Sequence, residues 1–198
     1  MNMVDTRLSA LLGSRICHDL ISPLGAIGNG VELLQMSGLG DSPELSLISE
    51  SVEHANARIR LFRVAFGAPS PEQHIARSEV QSVLAPISSA RKLDIAWDPP
   101  ADMPRDLARL VFLLLLCCET ALPYGGAIAV DATGDTLHIS AEAPRLRQTP
   151  ELWAHMSRAD LPMPLASDIH FPLARQAATD IGRRIEVVTG DTRIDIHA

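Results

Sequence analysis

The stretch RICHDLISPLGAIGNGVELL, residues 15–34, carries Ile16, Leu20, Leu24, Ile27, Val31 and Leu34 at intervals of four, four, three, four and three. That is the period of an amphipathic helix with one apolar stripe. The pattern extends from about Asp5 to Ser37. Two glycines and a proline in Ser37–Pro43 then mark a turn. A second periodic run follows from about Pro43 to Phe66, with Leu45, Ile48, Val52, Ala55, Ile59, Phe62 and Phe66 forming an unbroken heptad seam. Two such helices on a short link predict an antiparallel hairpin. One hairpin leaves much of its seam wet, and the usual remedy is to pair two hairpins in a four-helix bundle. The rest of the chain supplies no second pair, so a second copy of the chain is the expected source.

Outward from the hairpin, Gly67–Pro71 (GAPSP) reads as a linker. The 198 residues thus divide into a helical hairpin over 1–67 and a second domain over 72–198. In the second domain the pattern is mixed. Ser78–Ala90 reads as a helix, Leu93–Trp97 as a strand and Pro104–Ala121 as a buried helix. Its LVFLLLLCC core, residues 110–118, is far short of the roughly 20 apolar residues of a membrane span. Alternating apolar residues flank Thr133-Gly134-Asp135-Thr136 and again Thr189-Gly190-Asp191-Thr192, which predicts two strand hairpins. Short helices are expected near Pro150–Ser157 and Phe171–Ile181. The fold class is α+β: a helical hairpin, dimeric as a four-helix bundle, followed by an α/β sandwich of one sheet covered by a few helices.

Composition removes several functions. The net charge of -7 argues against non-specific nucleic-acid binding, which needs an excess of Lys and Arg. No signal-peptide pattern opens the chain, and no membrane anchor is expected. The cysteines, Cys17, Cys117 and Cys118, are odd in number and form no CxxC pair. They read as reduced core residues of a cytoplasmic protein. No HxxxH, HxH or paired-carboxylate spacing predicts a metal site, and no GxSxG or P-loop is present. His54, His138, His170 and His197 have no ligand-spaced partners and read as structural.

His18 is different. With His18 at zero on a helical wheel, the apolar stripe of helix one falls at roughly 160–240°. The imidazole therefore points away from the bundle core. Its own face carries Ser14, Arg15, Ser22, Gly25 and Asn29, small or polar residues that let another protein approach closely. The competing reading is a plain surface histidine. Two details weigh against it. Asp19 sets a carboxylate beside the ring, and Pro23 interrupts the helix five residues on at a cost of ~3 kcal/mol.

Residues 15–27, RICHDLISPLGAI, resemble the H-box of dimeric two-component histidine kinases. The longer stretch 15–34, with Arg60-Leu61-Phe62-Arg63-Val64-Ala65-Phe66-Gly67, resembles the ChpT-type histidine phosphotransferases of bacterial cell-cycle phosphorelays. The resemblance implies a homodimer, a second domain like a degenerate histidine-kinase ATPase domain, and response-regulator receiver domains as partners. The residues bear on the nucleotide point directly. The expected Mg²⁺-binding helix reads Leu116-Cys117-Cys118-Glu119-Thr120-Ala121, with Glu119 but no asparagine. Ala143-Pro144-Arg145-Leu146-Arg147 stands where a DxGxG loop belongs, and the only asparagines are Asn2, Asn29 and Asn56.

By analogy with the kinase H-box, Nε2 of His18 is the expected nucleophile toward an aspartyl phosphate. Asp19 accepts a hydrogen bond from the other ring nitrogen, and Ser22 meets the phosphoryl oxygens. In an antiparallel hairpin the level of His18 faces that of Phe62, which brings Arg60 and Arg63 near, with Arg15 on helix one. Together with Gly25 and Asn29 these are the expected partner-contact residues. Arg60 and Arg63 read equally well as cations favoured at a helix C-terminus. No intrinsic cofactor is expected; Mg²⁺ comes with the receiver. Three functions stay open: phosphotransferase, active kinase (disfavoured by the missing motifs) and non-catalytic dimeric adaptor.

Overall fold

The computed structural model describes residues 3–36, 42–68, 72–99, 102–134 and 136–198, with side chains from residue 11 onward. Residues 37–41 of the expected Ser37–Pro43 turn, residues 69–71 of the expected Gly67–Pro71 linker, and Asp135 lie outside the described residues. The chain divides into two compact units, Met1–Ala68 with Ser82–Ala90, and Pro69–Gln81 with Arg91–Ala198.

In the first unit, α1 (Met3–Leu34) and α2 (Pro43–Phe66) form the hairpin. The start of α2 follows from its chemistry. Ser42 caps it by accepting from the Leu45 N–H at 3.1 Å, Pro43 fits the first turn, and Glu44 lies near the positive end of the helix dipole. Pro23 sits inside α1, and the helix continues through it. The two helices approach where α1 is small. A side chain on Gly13 would meet the Phe66 Cβ at 3.5 Å, and one on Gly28 would meet Val52 at 3.5 Å. Gly67 is held just as closely, since a Cβ there would run into the Arg63 carbonyl oxygen and meet the Ser14 hydroxyl at 3.3 Å.

The hairpin buries Cys17 and Val31 of α1 with Ala57, Leu61, Val64 and Ala65 of α2. The rest of the apolar stripe stays partly open in the single chain, as the sequence reading expects of a lone hairpin. Ile16, Leu20, Ile27 and Leu34 are 44–51% exposed in the single chain, and Leu24 is half-buried. The seam of α2 is likewise only partly covered: Ile48 is exposed, and Leu45, Val52, Ala55, Ile59, Phe62 and Phe66 are half-buried. The helical period finds an apolar face but does not say whether the chain itself covers it.

The second unit is built on a five-stranded sheet in the order β2-β4-β5-β7-β6. Its strands are β2 (Leu93–Asp98), β4 (Gly126–Thr133), β5 (Thr136–Glu142), β6 (Glu186–Thr189) and β7 (Arg193–His197). β2 and β4 run parallel, with α4 (Arg105–Ala121) as the connecting helix; the other pairs are antiparallel. Gly134, at φ +60, supplies the left-handed residue that the β4–β5 turn requires. The register aligns Trp97, Val130, Ile139 and Ile196 on one face, and Ile128, Ala141 and Ile194 beside them. On that side Trp97 meets Phe112 of α4 edge to face at 6.4 Å, and every residue from Leu110 to Cys118 is buried. No helix among the described residues is long and apolar enough to cross a membrane.

Two short helices complete the core. α5 (Pro150–Trp153) continues into a 3₁₀ turn at Ala154–Met156, and α6 (His170–Asp180) packs on α4. Trp153 meets Phe171 edge to face at 5.1 Å. The expected helix at Ser78–Ala90 is α3 (Arg77–Arg91), and two strands were not expected from the sequence: β1 (His74–Ala76) and β3 (Asp102–Pro104), which pair antiparallel as a small second sheet.

Candidate functional site

His18 stands on α1 directly after Cys17, which faces α2. The helix turns about 100° per residue, so an inward Cys17 forces the imidazole outward. Its side chain is 82% exposed. Asp19 lies beside it, with Oδ1 3.2 Å from His18 Nδ1. The other carboxylate oxygen, Oδ2, accepts from Arg15 Nε at 2.8 Å. The hydrogen bond from His18, with further help from Arg15, holds the Asp19 carboxyl below its usual range against a smaller opposing effect of desolvation. Asp19 is therefore an ionised acceptor at neutral pH, the partner suited to an Nδ1–H tautomer.

The remaining predicted residues divide. Ser22 and Asn29 are exposed along α1, and a side chain at Gly25 would meet nothing within 4 Å. None of the three bonds to His18 or Asp19 among the described residues. Ser14 is half-buried beside Gly67 rather than part of the open face. The close approaches of Gly13 to Phe66 and Gly28 to Val52 set the hairpin register, which brings Phe62 level with His18. Arg63 reaches this level electrostatically: burial raises the Cys17 thiol, and the Arg63 charge partly offsets that rise. Arg60 is exposed on α2.

Arg58 was missed in the sequence. Its guanidinium lies 5.1 Å from the Phe62 ring centroid, and Phe62 in turn contacts Phe66 at 5.4 Å. The i, i+4 spacing of a cation and an aromatic residue was the available signal.

Among its described residues the second unit carries no comparable reactive centre. Glu119, at the end of α4, is tied by an ion pair to Arg91 Nε at 2.8 Å, and Thr120 shares a hydrogen bond with His170 Nε2 at 3.1 Å. The acidic residue of the expected nucleotide helix is thus paired with a cation of the chain itself. His138 pairs with Asp195 at 3.0 Å and stacks on His197 with ring centroids 4.6 Å apart. Burial raises Cys117 well above the usual thiol range and pushes Cys118 up to about 12, so both are thiols without nucleophilic character. Among the described residues, no three His, Cys, Asp or Glu side chains are arranged to hold a metal ion.

A family model for the histidine phosphotransferase C-terminal domain matches residues 77–193. Protein phosphotransferase ChpT of Brucella abortus (strain 2308) is 40% identical over 129 residues, which is 64% of this chain and 61% of that protein. The chain thus spans 61% of the curated relative that it matches. The solved structure of a bacterial phosphotransferase matches 100% of this chain and 97% of its own at a TM-score of 0.70 and 26% identity.

Proposed function

Because this chain belongs to the histidine phosphotransferase family, we propose that it relays a phosphoryl group between receiver-domain aspartates, with His18 as the phosphoacceptor. One observation carries the reading: an exposed imidazole whose Nδ1 faces an ionised carboxylate, which leaves Nε2 turned to solvent as the nucleophile. The Brucella relative supports phosphotransfer, and the exposed Ser22 with the open space at Gly25 supports a protein donor.

Nε2 attacks the phosphorus of an aspartyl phosphate in line. The new N–P bond forms as the P–O bond to the receiver carboxylate breaks. The Nδ1 proton stays on the ring, where the Asp19 carboxylate stabilises the cation that forms. Ser22, exposed one turn along α1, is the proposed contact for phosphoryl oxygens, and the positive charge of Arg58, Arg60 and Arg63 on α2 suits the acidic pocket of a receiver. Mg²⁺ is supplied with the receiver. The three buried free cysteines fit a reducing compartment, so the cytoplasm is the proposed location.

The proposed assembly is a homodimer. Ile16, Leu20, Ile27 and Leu34 of α1, with Leu47 and Ile48 of α2, form exposed apolar surface on the hairpin. A second hairpin with the same stripe covers it in a four-helix bundle. The test of the relay is a three-component assay with a labelled donor receiver, an acceptor receiver and this chain. Label is expected to reach the acceptor only when the chain is present. Equal transfer without it would end the proposal and leave the adaptor reading.

The kinase alternative has its own test. Glu119 is engaged by Arg91, and the second unit contains no asparagine. Calorimetry with ATP and Mg²⁺ is expected to give no binding at micromolar concentrations. A micromolar dissociation constant would revive kinase activity.

A further inference from the structure

Arg15, Asp19 and His18 form a linked row on one face of α1. Asp19 is engaged through both oxygens: Oδ2 accepts from Arg15 Nε at 2.8 Å, and Oδ1 lies 3.2 Å from His18 Nδ1. The Arg15–Asp19 pair has the i, i+4 spacing at which helix side chains meet. His18 and Asp19 are sequence neighbours, which do not face each other on a helix without help. A free Asp19 carboxylate on this surface would rotate among hydrated rotamers. Arg15 pulls Oδ2 toward the preceding turn, and the carboxylate is then oriented with Oδ1 toward the imidazole.

We propose that Arg15 is a positioning residue for the phosphoryl transfer: through Asp19 it holds His18 in the Nδ1–H tautomer, with the Nε2 lone pair free to attack. This deepens the phosphotransfer reading and rests on it. It also changes the role expected of Arg15 from a partner contact to a group that acts within the free chain. The same tautomer serves after transfer, when Nε2 carries the phosphoryl group and the Nδ1 proton remains hydrogen-bonded to Asp19. No proton crosses to the receiver, whose carboxylate leaves with the electron pair of the broken P–O bond.

A contact residue and a positioning residue differ in experiments that contain no partner. In ¹⁵N spectra of the imidazole of His18 in the full chain, wild type is expected to be dominated by the Nδ1–H form, and Arg15→Ala by a mixture of tautomers. Phosphoramidate serves as a small phosphoryl donor that offers Arg15 no protein surface. With it, Arg15→Ala is expected to lower the rate of His18 phosphorylation about threefold to fivefold, the range of an exposed ion pair acting on one state. Arg15→Lys, which keeps a cation within reach of Oδ2, is expected to recover most of that loss. In an Asp19→Ala background Arg15→Ala is expected to add nothing, since the two residues act in series. An unchanged tautomer ratio, an unchanged phosphoramidate rate or additive losses in the double variant would overturn the proposal and return Arg15 to the partner surface. If wild-type His18 accepts from neither phosphoramidate nor any receiver, the phosphotransfer reading falls with its catalytic consequence, while a tautomer shift in Arg15→Ala would still uphold the coupling itself.

Discussion

Replacing His18 by alanine is expected to abolish phosphoryl acceptance while fold and assembly stay intact. The imidazole lies on the outer face of α1, 82% exposed, so its removal opens no cavity. Exposed substitutions of this kind change stability by about ±0.5 kcal/mol. Alanine is also the best helix former and does not disturb α1. In the proposed relay the substitution removes the nucleophile, because among the described residues no other histidine combines an open side chain with a carboxylate partner. His138, paired with Asp195, is only 37% exposed and stacks on His197; His170 bonds to Thr120, and His155 is buried. The check is label uptake from a phosphorylated receiver, alongside circular dichroism and light scattering. Full label uptake by His18→Ala would move the acceptor elsewhere in the chain.

Replacing Ile27 by glutamate is expected to turn a dimer into a folded monomer. In the single chain Ile27 is 51% exposed, so a carboxylate there stays in water and the hairpin keeps its own core of Cys17, Val31, Ala57 and Leu61. In a bundle of two hairpins the same carboxylate is buried without a partner. That costs on the order of several kcal/mol per charge, and a two-fold interface imposes it twice. At 1.4 kcal/mol per tenfold, the dissociation constant rises by about a thousandfold or more. Sedimentation equilibrium over a range of concentrations decides it. An unchanged dimer would place the interface off this stripe, and a wild-type monomer would remove the dimer from the account.

Local signals made much of the fold legible. Ser42, Pro43 and Glu44 announce the start of α2, and Gly67 its end, so the expected Pro43–Phe66 is the observed helix. Gly134 between alternating apolar residues announces the β4–β5 turn, and the unbroken apolar run at 110–118 announces α4. What was missed depends on distant partners. β1 and β3 are three residues each, too short for any period, and exist only because His74–Ala76 meets Asp102–Pro104 across α3. The engagement of Glu119 by Arg91 is likewise set by the packed fold. The apolar face of α1 was visible, but its division between a part turned to α2 and a part left open was not. Gly13 and Gly28 decide that division by allowing close approach on the Cys17 side. At the site, the outward His18 with Asp19 was readable from the wheel and from adjacency. The tie of Arg15 to Asp19 was present as an i, i+4 spacing, yet a cation beside a reactive histidine invites the partner-contact reading first.

In the proposed relay Nε2 of His18 carries the phosphoryl group between receivers. The most direct measurement is to locate that group on the intact chain after incubation with a phosphorylated receiver. ³¹P NMR at mildly alkaline pH identifies the linkage, and fragmentation mass spectrometry identifies the residue. The expected product is an acid-labile, base-stable phosphohistidine, bonded through Nε2, at His18 and at no other position. A phosphoryl group on Nδ1, on another side chain, or on no residue of the chain with any receiver would contradict it.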